Sequence, residues 1–408
     1  MEIALAANLI AWGAIGCGSH GTATAPQASL PLPQSNAELA RANQAPETQI
    51  GTMELVAEFA SPMQTGVTVS RDGRIFINMP RWFDPTPFTV GELKNGQLVA
   101  YPDANVNRLD ESDFANTFVS VQSVVVDPDN RLWVLDTGSI SFGPPRPFGP
   151  KLVGIDLATN RILKKIQFPA DVALPTTYLN DVRFDLRRGE GGMAFITDSA
   201  GKGPGGIIVV DLAFGKSWRR LSGHPSVMAQ PGFTPIVEGE PLMMREPGKP
   251  PQPLKMASDG IAISNDGKTL YYRPLISHHL YSVSVDALAD TNRTEAEVES
   301  TAQDLGDIGY ASDGLESDDQ GNLYLSDYEH QAIHRRDSNG TDHVLVQDAR
   351  LIWPDTLSVG HDGYLYISVN QLDRAPRFHD GKDLRRPPYA LFRTKIDGHP
   401  VNLRSQAK

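Results

Sequence analysis

The sequence predicts an all-β fold, a six-bladed β-propeller with four-stranded blades. The main observation is one short motif that occurs six times in the chain of 408 residues. Each copy is a short alternating strand, a tight turn rich in Asp, Asn and Gly, and a second apolar strand, which is the pattern of a β-hairpin. A single hairpin cannot bury its own apolar face, so the six copies are expected to pack radially on one another. The copies lie at residues 66–77, 123–135, 181–197, 259–272, 313–325 and 355–367.

Further apolar segments complete the blades. In the second repeat, for example, residues 151–157 and 161–166 follow the hairpin, and the outer strand carries the Lys and Arg residues expected of a solvent-exposed edge. The last hairpin is followed by only one clear strand, at residues 389–396. The sequence therefore predicts that residues 53–59 supply the missing outer strand and close the ring.

The composition of the chain excludes some classes of binding partner. A formal net charge of -12 argues against a nucleic-acid footprint or a basic membrane-binding patch. No run of 18 apolar residues is present, so no segment is predicted to span a bilayer. We expect a monomer that binds a small molecule.

The N-terminal region predicts export. Ala14–Cys17, at the end of an apolar run, resembles a bacterial lipobox, and the residues after it are rich in Ala, Pro, Ser and Thr. The expected organisation is a signal-like segment at 1–17, a flexible tether at 18–50 and a propeller at 51–408, in the periplasm or outside the cell, with Cys17 as a possible lipid anchor. Glu2 stands where such a signal is usually basic, so a disordered cytosolic extension is the alternative.

The start of each inner strand carries a polar, oxygen-bearing residue. In a propeller these positions converge on one mouth of the central channel, and oxygen-only cages suit hard cations such as Ca²⁺. The sequence therefore predicts a divalent-cation site, with Ca²⁺ as the expected ion. The alternative is that these side chains cap turns. The positions are Thr65, Gln122, Asn180, Asp259, Asp313 and Asp355, of which all but Thr65 are the predicted metal ligands.

The loops that follow the second strands should line the same mouth. Trp82 and Tyr328 are predicted to stack on an aromatic ligand, with Asp327 or Glu329 pairing an amine. His278 or His330 could transfer protons near neutral pH. An insertion at 223–255 is interpreted as a lid or as a loop that only packs on the ring. The other rim candidates are Asn78, Arg81, Asp136, Asp198, Arg273, His279 and Asn370, with Arg273 and Asn370 among the predicted ligand contacts.

Several of these stretches resemble the Yellow/major royal jelly protein family, in chain order and over about residues 54–396. The stretches are residues 118–138, 180–185, 216–219, 259–264, 270–275 and 353–357, with Asn370. The resemblance implies a six-bladed propeller, usually secreted, whose central channel can hold small aromatic amines. It also implies either a dopachrome-converting activity or a non-catalytic role, since family members differ in this respect.

A more distant resemblance is to the gluconolactonase and senescence-marker-protein group, which implies the same ring and a bound divalent metal. Asn180, Asp259 and Asp313 match ligand positions of that group, and Asp181 matches its candidate base. Thr65 stands where the group has a glutamate ligand, which departs from the pattern.

Two hypotheses follow. In the first, the protein is a metal-assisted lactone hydrolase or isomerase acting on a small cyclic or aromatic compound, with Asp181 or a rim histidine moving protons. In the second, it is a non-catalytic protein that binds an aromatic amine by stacking and one carboxylate.

Overall fold

The computed structural model describes residues 49–405. Six four-stranded antiparallel sheets form the blades of a propeller, which confirms the predicted fold class. The predicted signal-like segment with Cys17 lies outside the described residues, as does nearly all of the predicted tether. Both remain predictions from the sequence.

The strands run in chain order from the inner to the outer edge of each blade. In the first three blades they are Gly66–Val69, Ile75–Asn78, Val90–Lys94 and Gln97–Ala100; then Val121–Val126, Arg131–Asp136, Lys151–Asp156 and Arg161–Gln167; then Leu179–Asp185, Met193–Asp198, Gly206–Asp211 and Ser217–Arg220. In blades 4 and 5 they are Ser258–Ile263, Thr269–Pro274, His279–Ser284 and Gln303–Asp307; then Leu315–Ser317, Leu323–Asp327, Ala332–Arg336 and Asp342–Gln347.

The sixth blade joins the two ends of the ring. Its strands are Trp353–Val359, Tyr364–Asn370, Tyr389–Lys395 and, as the outer strand, Met53–Phe59. The outer strand pairs antiparallel with its neighbour, so that Met53 faces Thr394 and Phe59 faces Tyr389. The predicted closure by residues 53–59 is thus confirmed, and it removes the exposed edges that an open ring would have.

The hairpin turns explain why the repeat motif is so regular. Asn130 has a φ of 62° and Gly73 a φ of 81°, in the left-handed region that Asn and Gly tolerate best. In blade 2 the Asp127 carboxylate accepts hydrogen bonds from the backbone N–H groups of Asp129 and Arg131. The Asp-rich turns therefore fix the register of the two innermost strands.

Short hairpins and helical segments lie outside the six blades. The insertion after blade 3 contains the 3-10 turn Pro225–Val227 and two small hairpins, Ile236–Val237 with Glu240–Pro241 and Met243–Met244 with Gln252–Pro253. The other helical segments of the described part of the chain are Ala104–Asn107, Val285–Ala289, Glu295–Glu299, Leu372–Arg374 and Pro376–Phe378. No helix within residues 49–405 is long and apolar enough to cross a membrane.

The hydrophobic core lies between neighbouring blades rather than at one centre. Trp133 of blade 2, for example, stacks on Phe184 of blade 3 with ring centroids 5.4 Å apart. Such blade-to-blade packing leaves the axis free for polar side chains, which is where the candidate site lies.

Candidate functional site

Polar side chains meet at one end of the central channel, here called the acidic end, where the inner strands begin. Asp259 and Asp355 lie within the first three residues of their inner strands, and Asp313 lies two residues before its strand. All three side chains, here called the axial carboxyls, are buried. They come from three consecutive blades, 4, 5 and 6, as the spacing of the repeats predicts.

The axial carboxyls interact with one another. Burial raises the pKa of Asp259 well above its usual range, and the charges of Asp313 and Asp355 raise it further. Burial also raises the pKa of Asp313, to about 6, and that of Asp355 well above its usual range, with the Asp313 charge adding to the second. The contact between the Asp259 and Asp313 carboxyls raises the pKa of Asp259 and lowers that of Asp313, so the two groups titrate as a pair.

One oxygen of each axial carboxyl is held by a protein donor. Ser199 Oγ donates to Asp259 Oδ2 at 3.2 Å. Trp353 Nε1 donates to Asp313 Oδ2 at 2.7 Å, and Asn370 Nδ2 donates to Asp355 Oδ2 at 2.8 Å. Neutral donors therefore orient the three carboxyls. These hydrogen bonds lower the pKa values of the carboxyls, but burial raises them by more.

Basic partners are absent from this group. No Lys, Arg or His among the described residues forms an ion pair with Asp259, Asp313 or Asp355. Equally, no three acidic, His or Cys side chains within residues 49–405 are already arranged around a common metal position. Among the described residues, no basic side chain therefore offsets the charge of the axial carboxyls directly.

The other three predicted axial residues engage in side-chain hydrogen bonds. Asn180 Nδ2 donates to Ser199 Oγ at 2.6 Å, which links Asn180 to Asp259 through one hydroxyl. Gln122 Oε1 accepts from the Tyr178 hydroxyl at 3.0 Å. Thr65 Oγ1 accepts from Asn78 Nδ2 at 2.8 Å. Asn180 is therefore in the same network as the axial carboxyls, whereas Thr65 is tied to its own blade.

Asp181, the predicted base, lies one residue further along the channel. Its Oδ2 accepts from Arg183 Nη1 at 2.8 Å and its Oδ1 from Ser123 Oγ at 2.7 Å. Arg183 also lies 3.4 Å from a carboxylate oxygen of Glu316, so one guanidinium pairs with two acids. Asp181 differs from the axial carboxyls in having a cationic partner.

An aromatic cluster of Trp82, Phe142 and Tyr178 covers the acidic end. Phe142 stacks on Trp82 at 4.6 Å and on Tyr178 at 5.4 Å between ring centroids, and Trp82 Nε1 donates to the Tyr178 hydroxyl at 2.7 Å. The guanidinium of Arg377 lies 4.3 Å above the Phe142 ring. Burial raises the pKa of Tyr178, so its hydroxyl keeps its proton and remains a hydrogen-bond donor.

Tyr328 forms a second aromatic contact beside the axis. It stacks on Trp353 with centroids 4.3 Å apart, and its hydroxyl donates to the backbone carbonyl of Leu275 at 2.6 Å. The two rings predicted to stack on a ligand, Trp82 and Tyr328, each already stack on a protein ring.

The predicted proton-transfer histidines lie at the rim and are paired with acids. His278 Nε2 is 2.6 Å from Glu329 Oε2, and Glu329 Oε1 accepts from the backbone N–H of Ile236 in the insertion. His330 Nδ1 is 2.8 Å from Asp327 Oδ2. Burial opposes the charging of His330, but this contact with Asp327 outweighs it and raises the His330 pKa.

The remaining rim candidates hold the loops in place. The buried Arg273 donates to the Tyr310 carbonyl at 2.9 Å, and burial lowers the pKa of its guanidinium. Arg81 donates to backbone carbonyls of the loop before blade 2. Asp136 and Asp198 accept from backbone N–H groups at the start of their inner strands. His279 is paired with Asp304 on the outer part of blade 4.

The insertion reaches across three loops at the acidic end. Gln230 N donates to the Ile276 carbonyl at 2.8 Å in blade 4, and Arg245 N donates to the Arg377 carbonyl at 2.8 Å beyond blade 6. Together with the Glu329 contact in blade 5, these bonds place the insertion as a cap over the loops that surround the aromatic cluster.

Sequence reasoning did not identify Tyr178, Ser199, Trp353 or Arg377. A signal for two of them exists, because Tyr178 and Trp353 each stand two residues before an axial position, Asn180 and Asp355. Side chains two residues apart on a strand share a face, so an aromatic residue there points to the channel side. Ser199 and Arg377 carry no such signal.

Comparison with known proteins identifies relatives of the sequence. The family model of the major royal jelly protein matches residues 119–385. The yellow proteins of Drosophila madeirensis and Drosophila melanogaster are each 30% identical to this chain over 238 residues, which is 54% of this chain. The match covers 39% of the first and 41% of the second, so the chain spans about two fifths of the length of these curated relatives.

Solved structures share the fold. A calcium-binding regucalcin from Agrobacterium tumefaciens has a TM-score of 0.50 at 15% identity, covering 85% of this chain and 97% of that one. A putative gluconolactonase has a TM-score of 0.52 at 10% identity, covering 88% and 96%. At such identities the likeness concerns the propeller alone. From the match of its family model over residues 119–385, the chain belongs to the major royal jelly protein family.

Proposed function

We propose that the protein binds a small cyclic or aromatic molecule at the acidic end of its channel, and that Asp259, Asp313 and Asp355 hold a divalent cation, with Ca²⁺ as the expected ion, as part of that site. The observation that carries this proposal is the unbalanced charge of the axial carboxyls. The charges of Asp313 and Asp355 raise the pKa of Asp259, the charge of Asp313 raises that of Asp355, and no Lys, Arg or His of residues 49–405 forms an ion pair with the three. A hard cation with oxygen ligands is the natural replacement for their protons.

The donor set fits such an ion in its chemistry. The side chains nearest the axis offer carboxylate and amide oxygens, and the donors Ser199, Trp353 and Asn370 fix the orientation of the carboxyls. Because burial raises the pKa values of Asp259 and Asp355, binding of the ion requires these carboxyls to lose their protons. A calcium-binding protein and a putative gluconolactonase are among the solved structures with this fold, which supports both the ion and a lactone-hydrolase type of reaction.

The residues around the axis would position a substrate. A bound cation would polarise a substrate carbonyl or a water molecule. Tyr178 keeps its proton and can donate a hydrogen bond, and the aromatic cluster excludes water from that side. Asp181 could accept a proton only by weakening its bond to Arg183 or Ser123. The reaction class proposed is hydrolysis of a lactone or isomerisation of an aromatic compound.

A second candidate is binding of an aromatic amine without chemistry. It is favoured by the fact that each predicted proton carrier already has a partner, Asp181 with Arg183, His278 with Glu329 and His330 with Asp327. In this alternative the ammonium group of the ligand would balance the axial carboxyls.

Metal analysis of the purified full chain separates the two candidates. We expect bound divalent metal and a melting temperature that rises with CaCl₂ and falls with EGTA, because a ligand that binds only the folded state stabilises it. Asp313→Asn should remove this response and any lactonase or dopachrome-converting activity. Asp127→Asn is the matched control, since Asp127 also accepts from a Trp indole at 2.7 Å but lies in a blade turn. If the wild-type protein holds no metal and does not respond to Ca²⁺ or EGTA, while tyramine binds in calorimetry, the amine-binding candidate replaces the first.

A further inference from the structure

The opposite end of the channel, here called the tail end, contains a separate cavity of ≈ 350 Å³. Its wall is formed by the last residues of the inner strands of all six blades, and residues 400–404 cover it. The axial carboxyls stand at the starts of these same strands, so the two regions lie at opposite ends of the axis. A volume of this size lies within the range of small-molecule pockets, which is about 300–1,000 Å³.

The wall of the cavity includes the buried guanidinium of Arg183. Arg183 is only 5% exposed and lines the cavity. Its Nη1 donates to Asp181 at 2.8 Å and its Nη2 to the Leu315 carbonyl at 2.7 Å. Its Nε has no hydrogen-bond partner among the described residues. The Nε atom is itself buried, so Arg183 contributes positive charge to the wall rather than an open hydrogen-bond donor.

Basic side chains gather at the mouth of the cavity. Arg71 and His361 both line it, and Arg71 has no carboxylate within ion-pair distance in the described part of the chain. Burial lowers the pKa of His361, and the charges of Arg71 and His399 lower it further, which shows that basic groups crowd this edge. This local excess stands out on a chain whose formal net charge is -12.

The two acids of the wall each have a basic partner. Glu316 pairs with Arg183 and accepts from the backbone N–H of Ser317 at 2.8 Å. Asp127 pairs with Arg131 at 2.7 Å. Of the arginines that line the cavity, Arg71 is the one without a carboxylate of residues 49–405 within ion-pair distance, whereas Arg183 is shared between Glu316 and Asp181.

The segment that covers the cavity is docked by a few specific bonds. Leu186 N donates to the Leu403 carbonyl at 2.9 Å, and Arg404 Nε donates to Asp129 at 2.9 Å. Pro400 forms an isolated antiparallel β-bridge with Asp318. The Leu403 side chain is buried. These contacts hold residues 400–404 in place as the outer wall of the cavity.

We propose that the tail-end cavity is a second binding site, for a small molecule with one anionic oxygen group, a carboxylate or a phosphate. The anionic group lies at Arg71 beside His361, and the rest of the ligand occupies the cavity. This site is independent of the function proposed for the acidic end, because none of the axial carboxyls lines it.

The test uses inorganic phosphate and acetate as probes, titrated separately into the full chain at constant ionic strength, with calorimetry and thermal melting as readouts. We expect saturable binding of at least one probe. Arg71→Met should weaken it by about tenfold, because a hydrogen bond to a charged group contributes roughly 1.5–3 kcal/mol. Ser358→Leu, which fills the cavity wall, should abolish binding in a protein that still melts cooperatively. Arg393→Met is the matched control, because Arg393 pairs with Glu54 on the outer strands of blade 6.

The titrations can assign the chemical class of the ligand or overturn the proposal. Saturation by phosphate alone assigns a phosphate-bearing ligand, and saturation by acetate alone assigns a carboxylate. The proposal is overturned if neither probe saturates, if Arg71→Met or a folded Ser358→Leu protein binds as the wild type does, or if Arg393→Met weakens binding equally.

Discussion

Two groups of buried carboxylates in this propeller differ in what neutralises them. In the blades, several buried acids have a basic partner from the same blade: Asp136 pairs with Lys151 at 2.7 Å and Asp198 with Arg219 at 2.8 Å. At the axis, Asp259, Asp313 and Asp355 have only neutral donors and one another. The first arrangement stabilises the loops of the folded chain on its own. In the second arrangement, burial and mutual proximity raise the pKa values of the carboxyls, and a bound cation would be a natural replacement for their protons, which is why the axis is the functional candidate.

The largest loss of stability is expected when a buried blade carboxylate loses its basic partner. Lys151 and Asp136 are both almost completely buried, so Lys151→Met leaves a buried carboxylate unpaired. Breaking such a pair costs about 3–5 kcal/mol. We expect urea unfolding to show a loss of this size. Lys165→Met, whose ammonium group binds Asn116 at the surface, should change little. Equal stability of the Lys151 variant and wild type would remove the distinction between the two groups.

The axial group should show the opposite kind of pH dependence from ordinary acid denaturation. The pKa of Asp313 is raised to about 6 in the folded chain from a usual value of 3.8. Its contribution to stability is therefore complete below pH 4 and is lost as the pH rises through about 6, on the order of 2–3 kcal/mol. The difference in unfolding free energy between wild type and Asp313→Asn in EGTA should follow this curve. A difference that does not change with pH would contradict the assignment.

A direct comparison of two aspartates sharpens the contrast. Asp127 and Asp313 each accept from a Trp indole at 2.7 Å, but only Asp127 has an arginine partner. In EGTA at pH 8 we expect Asp127→Asn to lose about 2 kcal/mol, because Arg131 and two backbone donors lose their charged acceptor. Asp313→Asn should be as stable as the wild type or more so, because it relieves repulsion at the axis. Equal losses in the two variants would mean that both are turn caps.

The sequence predicted the parts of this arrangement that depend on local periodicity. The turns rich in Asp, Asn and Gly and the alternating strands identified the blades, and counting back along each strand placed Asp259, Asp313 and Asp355 at one end of the channel. What it could not predict depends on contacts between distant segments. Phe142 stacks on Trp82 across 60 positions of the chain, and the insertion reaches Glu329 in another blade. No local pattern encodes such pairings, so the sequence could name the rim residues but not their partners within the protein.

The smallest effect, and the most specific, should come from the indole donors. Trp353→Phe keeps a ring to stack on Tyr328 but removes the hydrogen bond to Asp313, a loss of about 1 kcal/mol. Because that bond favours the ionised carboxylate, its removal should also move the pKa of Asp313 above about 6. Trp133→Phe removes the equivalent bond to Asp127, yet Arg131 still holds that carboxylate, so the pKa of Asp127 should rise less. Carbon-13 carboxyl titration by NMR measures both. A larger shift at Asp127 than at Asp313 would show that neutral donors, and not the missing base, set the difference between the two groups.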